Sequence, residues 1–198
     1  MCINRVFLDL DDVLNTFAPH ALRSVGCPIG SSDYSSYPIE AGWNISQAAG
    51  MLHPTDVFHP SAFWAEMKRE VWATIPKSPQ FWPLIRLARD AVGPENVFIL
   101  TTATLSPDCL AGKLEWIREH CPEYFRRQFY MGGPYKRLLA GPGALLVDDN
   151  EDNCREFCEH GGSAILFPRP WNILRHVKEG DIEEYLRSCF ELETMEEA

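Results

Sequence analysis

The sequence predicts an α/β fold, a parallel sheet flanked by helices, on three observations. Short apolar runs without polar alternation recur, segments of helical period separate them, and Gly and Pro mark the junctions. Unbroken apolar runs suit strands covered on both faces, and regular alternation of strand with helix implies parallel pairing through right-handed crossovers. Val6-Phe7-Leu8 is the first run; Val97–Leu100, Ala144–Val147 and Ala164–Phe167 follow it.

The helices between them carry their own start and stop signals. Ser78-Pro79 reads as an N-cap with Pro at the first helical position, ahead of Phe81, Leu84, Ile85 and Ala88, and Gly93-Pro94 ends that helix. Ser106-Pro107 repeats the start, with Leu110, Leu114 and Ile117 at helical spacing and Pro122 as the stop. Glu151 to Glu159 forms a short helix ended by Gly161-Gly162. A last acidic helix, from about Ile182 to Phe190, packs Ile182, Leu186 and Phe190 on the domain. Gly141-Pro142-Gly143 is too short and wrongly placed to cradle a phosphate and reads as a turn before a strand.

The first strand breaks the rhythm. A long excursion follows it, rich in Gly, Pro, Ser and aromatics, including Tyr34, Tyr37, Trp43, Phe58, Phe63, Trp64 and Trp72. Ser61 begins a helix there whose Trp64, Met67, Val71 and Ile75 share one face. An insertion placed directly after a strand suggests a lid over that strand's C-terminal end, where open α/β sheets bind ligands.

Composition sets outer limits. Hydrophobic residues at 45% and charged residues at 23% support an ordinary core. A net charge of -10 without a basic run argues against an extended nucleic-acid footprint, which needs clustered positive charge. The N-terminal apolar run is short and ends in carboxylates, so we expect no signal peptide. No stretch approaches a membrane span. Seven cysteines without regular spacing point to a reducing compartment, and we expect a soluble cytoplasmic protein.

Strand one ends in Asp9-Leu10-Asp11-Asp12, and a second acid pair, Asp148-Asp149, ends the strand Ala144–Val147. Acids at the end of an apolar strand are costly unless a cation or a catalytic task holds them there. In a parallel sheet both strand ends share one edge, giving a hard-oxygen site suited to Mg²⁺. Thr101 and Thr102 end the strand between and offer hydroxyls to a phosphate oxygen, and Lys136 supplies a positive charge for the same group. Phosphoryl transfer needs positioning and charge neutralisation above all, and this set provides both.

In this order, the hhhDxDxV pattern of Val6–Val13, Thr101 after a second strand, Lys136, and Asp148-Asp149 after a further strand resemble the four motifs of the haloacid dehalogenase superfamily. That resemblance implies a Rossmann-like core from residues 1–16 and 78–198 and a mainly helical cap from 17–77. It implies that Asp9 attacks phosphorus to form an aspartyl-phosphate, while Asp11 protonates the leaving alcohol and later deprotonates water. Thr101, Thr102 and Lys136 then bind the phosphoryl group. Asp148, Asp149, the Asp9 carboxylate and the backbone carbonyl of Asp11 hold Mg²⁺.

Within that superfamily the chain is most similar to the 5'(3')-deoxyribonucleotidases, through Val97–Thr102, Glu115-Trp116-Ile117 before Tyr124-Phe125, Leu145–Asp149, and Ile165-Leu166-Phe167 followed by Asn172. The resemblance implies a nucleoside monophosphate whose base stacks on cap aromatics, with Phe63, Trp64 and Trp72 as candidates. Other small phosphates (a sugar phosphate or a nucleic-acid end) and a non-catalytic phosphate-binding module remain the alternatives, and a homodimer is left open. Asp12 stands where that family usually has Gly and is expected to be a solvated turn residue. Thr104-Leu105 and Gly132-Gly133-Pro134 replace basic residues of the family. Lys113 or Arg137 could compensate for these cations, although Lys113 is expected to be a solvated helix residue. Cys154, Cys158 and His160 cluster without zinc spacing and read as core thiols and a surface His. His53 and His59 stay open between phosphate contact and loop hydrogen bonding.

Overall fold

The computed structural model describes residues 3–54, 59 and 62–195. Phe58 and Ser61 lie outside these residues. Five parallel strands form one sheet: β1 (Arg5–Leu8), β2 (Val97–Thr102), β3 (Phe129–Gly132), β4 (Ala144–Asp148) and β5 (Ser163–Leu166), in the spatial order β3-β2-β1-β4-β5. β1 is central and pairs with β2 (Val6↔Val97) and with β4 (Val6↔Leu145). The crossover after β1 leads to β2 and the one after β4 leads to β5, in opposite directions, which opens a crevice at the C-terminal ends of β1 and β4.

The described helices are α1 (Phe17–Ser24), α2 (Ile45–Leu52), α3 (Phe63–Glu66), α4 (Arg69–Ala73), α5 (Phe81–Val92), α6 (Pro107–His120), α7 (Glu151–Glu159) and α8 (Ile182–Met195). α5 buries Phe81, Leu84, Ile85 and Ala88 as its periodicity requires, and each large side chain so buried contributes about 1.5–3 kcal/mol. Ser106 caps α6 by accepting from the Asp108 N–H at 3.3 Å, with Pro107 at the first position. Gly93 ends α5 at φ 81°. Among the described residues, no helix is long and apolar enough to cross a membrane.

Several elements depart from the sequence reading. β3 is an additional edge strand, whose alternation of half-buried and exposed residues gives no unbroken apolar run. α5 begins at Phe81, because Ser78 is spent on a preceding turn in which its carbonyl accepts from the Phe81 N–H. The single helix expected after Ser61 is broken at Met67-Lys68, where Lys68 is extended at ψ 165°. Trp64 is therefore exposed while Met67 and Ile75 are buried, so the expected common face does not form. On α6 the buried face carries Cys109, Gly112, Lys113, Trp116 and Ile117, and Leu110 and Leu114 turn outward.

The insertion leaves and rejoins the core through one clasp. Asn15 bridges Lys77 in antiparallel fashion, the Thr16 N–H donates to Pro76 O at 3.0 Å, and the Ser78 N–H donates to Leu14 O at 3.0 Å. α4 then lies against α6 at Gly112. A Cβ there would stand 2.4 Å from Trp72 Cβ and 2.6 Å from Arg69 O, so only glycine permits this approach. Gly112→Ala is expected to lower stability by about 1–3 kcal/mol through overpacking, read as a lower urea midpoint with unchanged slope.

Candidate active site

β1 ends at Leu8, and the chain turns at once through Leu10–Leu14, closed by the Asn15 N–H to Leu10 O at 3.0 Å. The turn, rather than a continued strand, carries Asp11. Asp9 stays in the sheet ladder through its N–H to Val147 O at 2.9 Å, and its Oδ1 accepts from the Leu10 N–H at 2.8 Å. Asp11 lies beyond it, and Asn15 Nδ2 donates to its Oδ1 at 3.3 Å.

Two buried lysines pair with these acids. Lys136 Nζ lies 2.7 Å from Asp9 Oδ1 and 2.6 Å from Asp148 Oδ2. Burial pulls its ammonium down, but Asp148 and Asp9 outweigh that and hold it above its ordinary value. Lys113 Nζ lies 2.6 Å from Asp11 Oδ2 and donates to Thr101 Oγ1 at 2.9 Å and to Thr102 O at 2.5 Å. Lys113 is 1% exposed, against its expected solvated position. An aliphatic stem on the inward face of α6 carries its charge to the end of β2, where it passes 5.3 Å from the Trp72 ring centre.

Asp9, Asp148 and Asp149 bring carboxylate oxygens within 4.8 Å of one another, all buried. Burial pushes Asp9 up to about 7, with Lys136 opposing and Asp148 and Asp11 adding to the rise. Burial also raises Asp149 well above its ordinary value, reinforced by Asp148, Asp12 and Asp9. Three close acids sharing one lysine form a hard, under-neutralised oxygen set. That donor chemistry fits a divalent cation such as Mg²⁺.

Asp12 is buried, against the expectation of a solvated residue. It sits at φ 59°, a left-handed conformation that explains why glycine also suits this position. Its Oδ1 accepts from the Ala18 N–H at 2.8 Å, in the first turn of α1, and from Tyr34 Oη at 2.7 Å. Arg169 Nε donates to the Asp12 carbonyl at 2.7 Å, and its guanidinium lies 4.1 Å from the Tyr34 ring centre. Burial pushes the Asp12 carboxyl up to about 7, opposed by the Ala18 N–H, Arg169 and Tyr34.

These groups open into a cavity of about 890 Å³ lined by Asp9, Asp11, Thr101, Thr102, Lys113, Lys136, Asp148 and Asp149, with aromatic walls. Phe17, Trp64 and Trp72 are nearly parallel: Phe17 and Trp72 stack at 4.9 Å and 10°, and Trp64 lies 6.5 Å from Trp72 at 11°. Trp64 is 46% exposed, Trp72 only 2%. Phe63 is fully buried behind Trp64, edge-on at 5.0 Å, and is absent from the cavity wall. The wall also carries Tyr37, Trp43 and Trp171. Arg137 reaches its rim, paired to Glu156 at 2.6 Å. Cys154 is buried and Cys158 exposed, with His160 Nδ1 2.8 Å from Glu156 O.

Sequence reasoning missed Arg169 and Trp171, and it named Lys113 but placed it in solvent. Trp116 was the available signal for Lys113: a large aromatic one turn away on α6 marks the buried face better than Leu110 and Leu114 do. Arg169 and Trp171 sit in an irregular loop after β5, where no periodicity points inward.

No family model matches the chain. Over 87 residues, 44% of this chain and 47% of the relative, it is 31% identical to a 5'(3')-deoxyribonucleotidase of Bacillus subtilis (strain 168). The same figures hold for a 5'(3')-deoxyribonucleotidase of Bacillus phage SPbeta. The matched span is thus about half the length of these curated relatives. Among solved structures, the chain is similar to a haloacid dehalogenase-like family hydrolase from Xanthomonas campestris, with a TM-score of 0.52 and 11% identity, covering 96% of this chain and 99% of that one. This likeness shows the fold.

The two roles of Asp12, backbone and side chain, separate by substitution. Asp12→Gly is expected to destabilise through the lost Ala18 and Tyr34 bonds, by about 1–3 kcal/mol. Asp12→Ala loses the same bonds and adds left-handed strain, about 1 kcal/mol more. Urea unfolding of both variants measures the difference.

Proposed function

We propose that this chain, which has the haloacid dehalogenase-like hydrolase fold, is a phosphatase that releases phosphate from (deoxy)nucleoside monophosphates with Mg²⁺. One observation carries the reading: Asp9 and Asp11, each held by its own buried lysine, face one cavity with Thr101 and an aromatic wall. In this reading residues 17–77 form the cap, and 1–16 with 78–198 form the core.

An Asp9 carboxylate oxygen forms the bond to phosphorus as the bond from phosphorus to the leaving oxygen breaks. Asp11 gives its proton to that oxygen, then takes one from the water whose oxygen attacks phosphorus and frees Asp9. Lys136 fixes Asp9 and offsets charge on the transferring group. Thr101 and Thr102 stand at the end of β2 to receive phosphoryl oxygens. Lys113 holds Asp11 by Oδ2 and Thr101 by its hydroxyl, so acid and phosphate site keep one geometry. Mg²⁺ held by Asp9, Asp148, Asp149 and the Asp11 carbonyl would supply the remaining positive charge for the phosphoryl oxygens.

The exposed face of Trp64 is the base-stacking surface, with Trp72 as its support through Phe17. The acid-rich cavity favours a small monoester over a nucleic-acid chain. Buried free thiols at Cys27, Cys109, Cys121 and Cys154 support a cytoplasmic setting.

A panel of phosphomonoesters assayed for Mg²⁺-dependent phosphate release is expected to show turnover of nucleoside monophosphates. Asp9→Asn should abolish it while the circular dichroism spectrum stays unchanged. No release from any substrate overturns the phosphatase reading, and release from sugar phosphates alone overturns the nucleotide one. Lys113→Met is expected to lower kcat/KM on the order of 10²-fold or more by freeing Asp11. An unchanged kcat/KM in that variant removes Lys113 from the machinery.

A further inference from the structure

Asp148 and Asp149 are adjacent, yet their surroundings differ. Asp148 accepts from Lys136 at 2.6 Å, from the Asn150 N–H at 2.9 Å and from Asn153 Nδ2 at 3.1 and 3.2 Å. Both its oxygens are therefore engaged by protein donors. The Asp149 side chain is held differently: Trp171 Nε1 donates to its Oδ2 at 2.7 Å. The neighbouring Asn172 Nδ2 donates to the Asp149 carbonyl at 2.9 Å and to Phe167 O at 2.8 Å, so the loop after β5 grips this residue by backbone and side chain together.

The Trp171 ring is itself clamped by the insertion. Tyr37 meets it edge-on at 4.9 Å and 61°, and Tyr34 lies 6.0 Å away. Tyr37 Oη is tied to Gly42 O at 2.9 Å, and Tyr34 Oη to Asp12 Oδ1 at 2.7 Å. The ring also lines the active-site cavity.

We propose that Trp171 is the positioning residue for Asp149: its indole N–H fixes the rotation of that carboxylate and presents the other oxygen to the cation. The Tyr34 and Tyr37 rings, both in the insertion, hold the indole at the angle this requires. This inference rests on the metal reading above. It assigns the insertion a task apart from substrate contact, which is to brace a metal acid from behind. A donor outside the ligand set that orients a ligating carboxylate is commonly worth 10–100-fold in metal affinity.

The test uses the full chain and Mg²⁺ alone, titrated by calorimetry without substrate. Trp171→Phe keeps a ring against Tyr37 and removes the donor. Its Kd for Mg²⁺ is expected to rise roughly tenfold or more, while the melting temperature of the metal-free protein changes little. Tyr37→Leu keeps the donor and loosens its support, so a smaller rise is expected. In turnover assays, Trp171→Phe should raise the Mg²⁺ concentration needed for half-activity. An unchanged Kd in Trp171→Phe, or a fall in metal-free stability with Kd unmoved, overturns the inference. A wild-type chain that takes up no Mg²⁺ overturns the metal reading and this inference together, and shows itself before any substitution is made. Wild-type Mg²⁺ binding without hydrolysis overturns the phosphatase reading alone.

Discussion

The ammonium of Lys136, buried between Asp9 and Asp148, is the interaction on which the site depends. A buried charge is tolerated only when paired and fully hydrogen-bonded. Here the pairing draws the ends of β1 and β4 toward one cation, which sits in the short turn before β4. With that cation in place, Asp9 can remain in the sheet ladder and Asp148 can lie fully buried. Among the described residues Asp149 has no ion pair of its own, and its burial beside two other acids leaves the cluster short of positive charge. Stability and the proposed chemistry meet at this deficit: acids left under-neutralised suit the divalent cation and phosphoryl group of the proposed reaction.

The second lysine solves a different problem. Asp11 lies past the end of β1, on a turn with no neighbouring strand to hold it. Lys113 reaches it from α6 and at the same time binds Thr101 and the Thr102 carbonyl, joining the β1 turn to the end of β2. α6 can bring that lysine so close because Gly112, one residue before it, lets the helix settle onto α4. Trp72, packed at that same contact, is also part of the aromatic wall. One small residue therefore sets the distance between the acid and the surface proposed for the base.

Much of this was legible in the chain. Unbroken apolar runs placed four strands because a strand covered on both faces admits little else. The acids at the ends of β1 and β4 converge because parallel strands end on one edge. Legibility failed where tertiary contact overrides a local pattern. Leu110 and Leu114 make a plausible inward face for α6, yet Trp116 and Gly112 claim the interior, and Lys113 follows them in. The break at Met67-Lys68 has no Gly or Pro to announce it; it lets Trp64 and Trp72 both lie parallel to Phe17. Asp12 looked like a surface residue because its partners Tyr34 and Arg169 are remote in sequence, and nothing local marks that burial.

The clasp between Asn15 and Lys77 bears on how such a protein diversifies. To the core, a segment whose entry and exit lie side by side is no more than a tight turn, whatever its length. Closing it costs the core little, since the entropy of a loop grows only slowly with added residues. Segments of the excursion away from its contacts with the core can lengthen or shorten without shifting β1. Attachments to the core limit that freedom, among them the seat of α4 on Gly112, the bracing of Trp171 by Tyr37 and the bond from Tyr34 to Asp12. On the proposed function, a lineage could alter leaving-group preference by rewriting the stretches between those anchors, while inheriting the proposed phosphate chemistry intact.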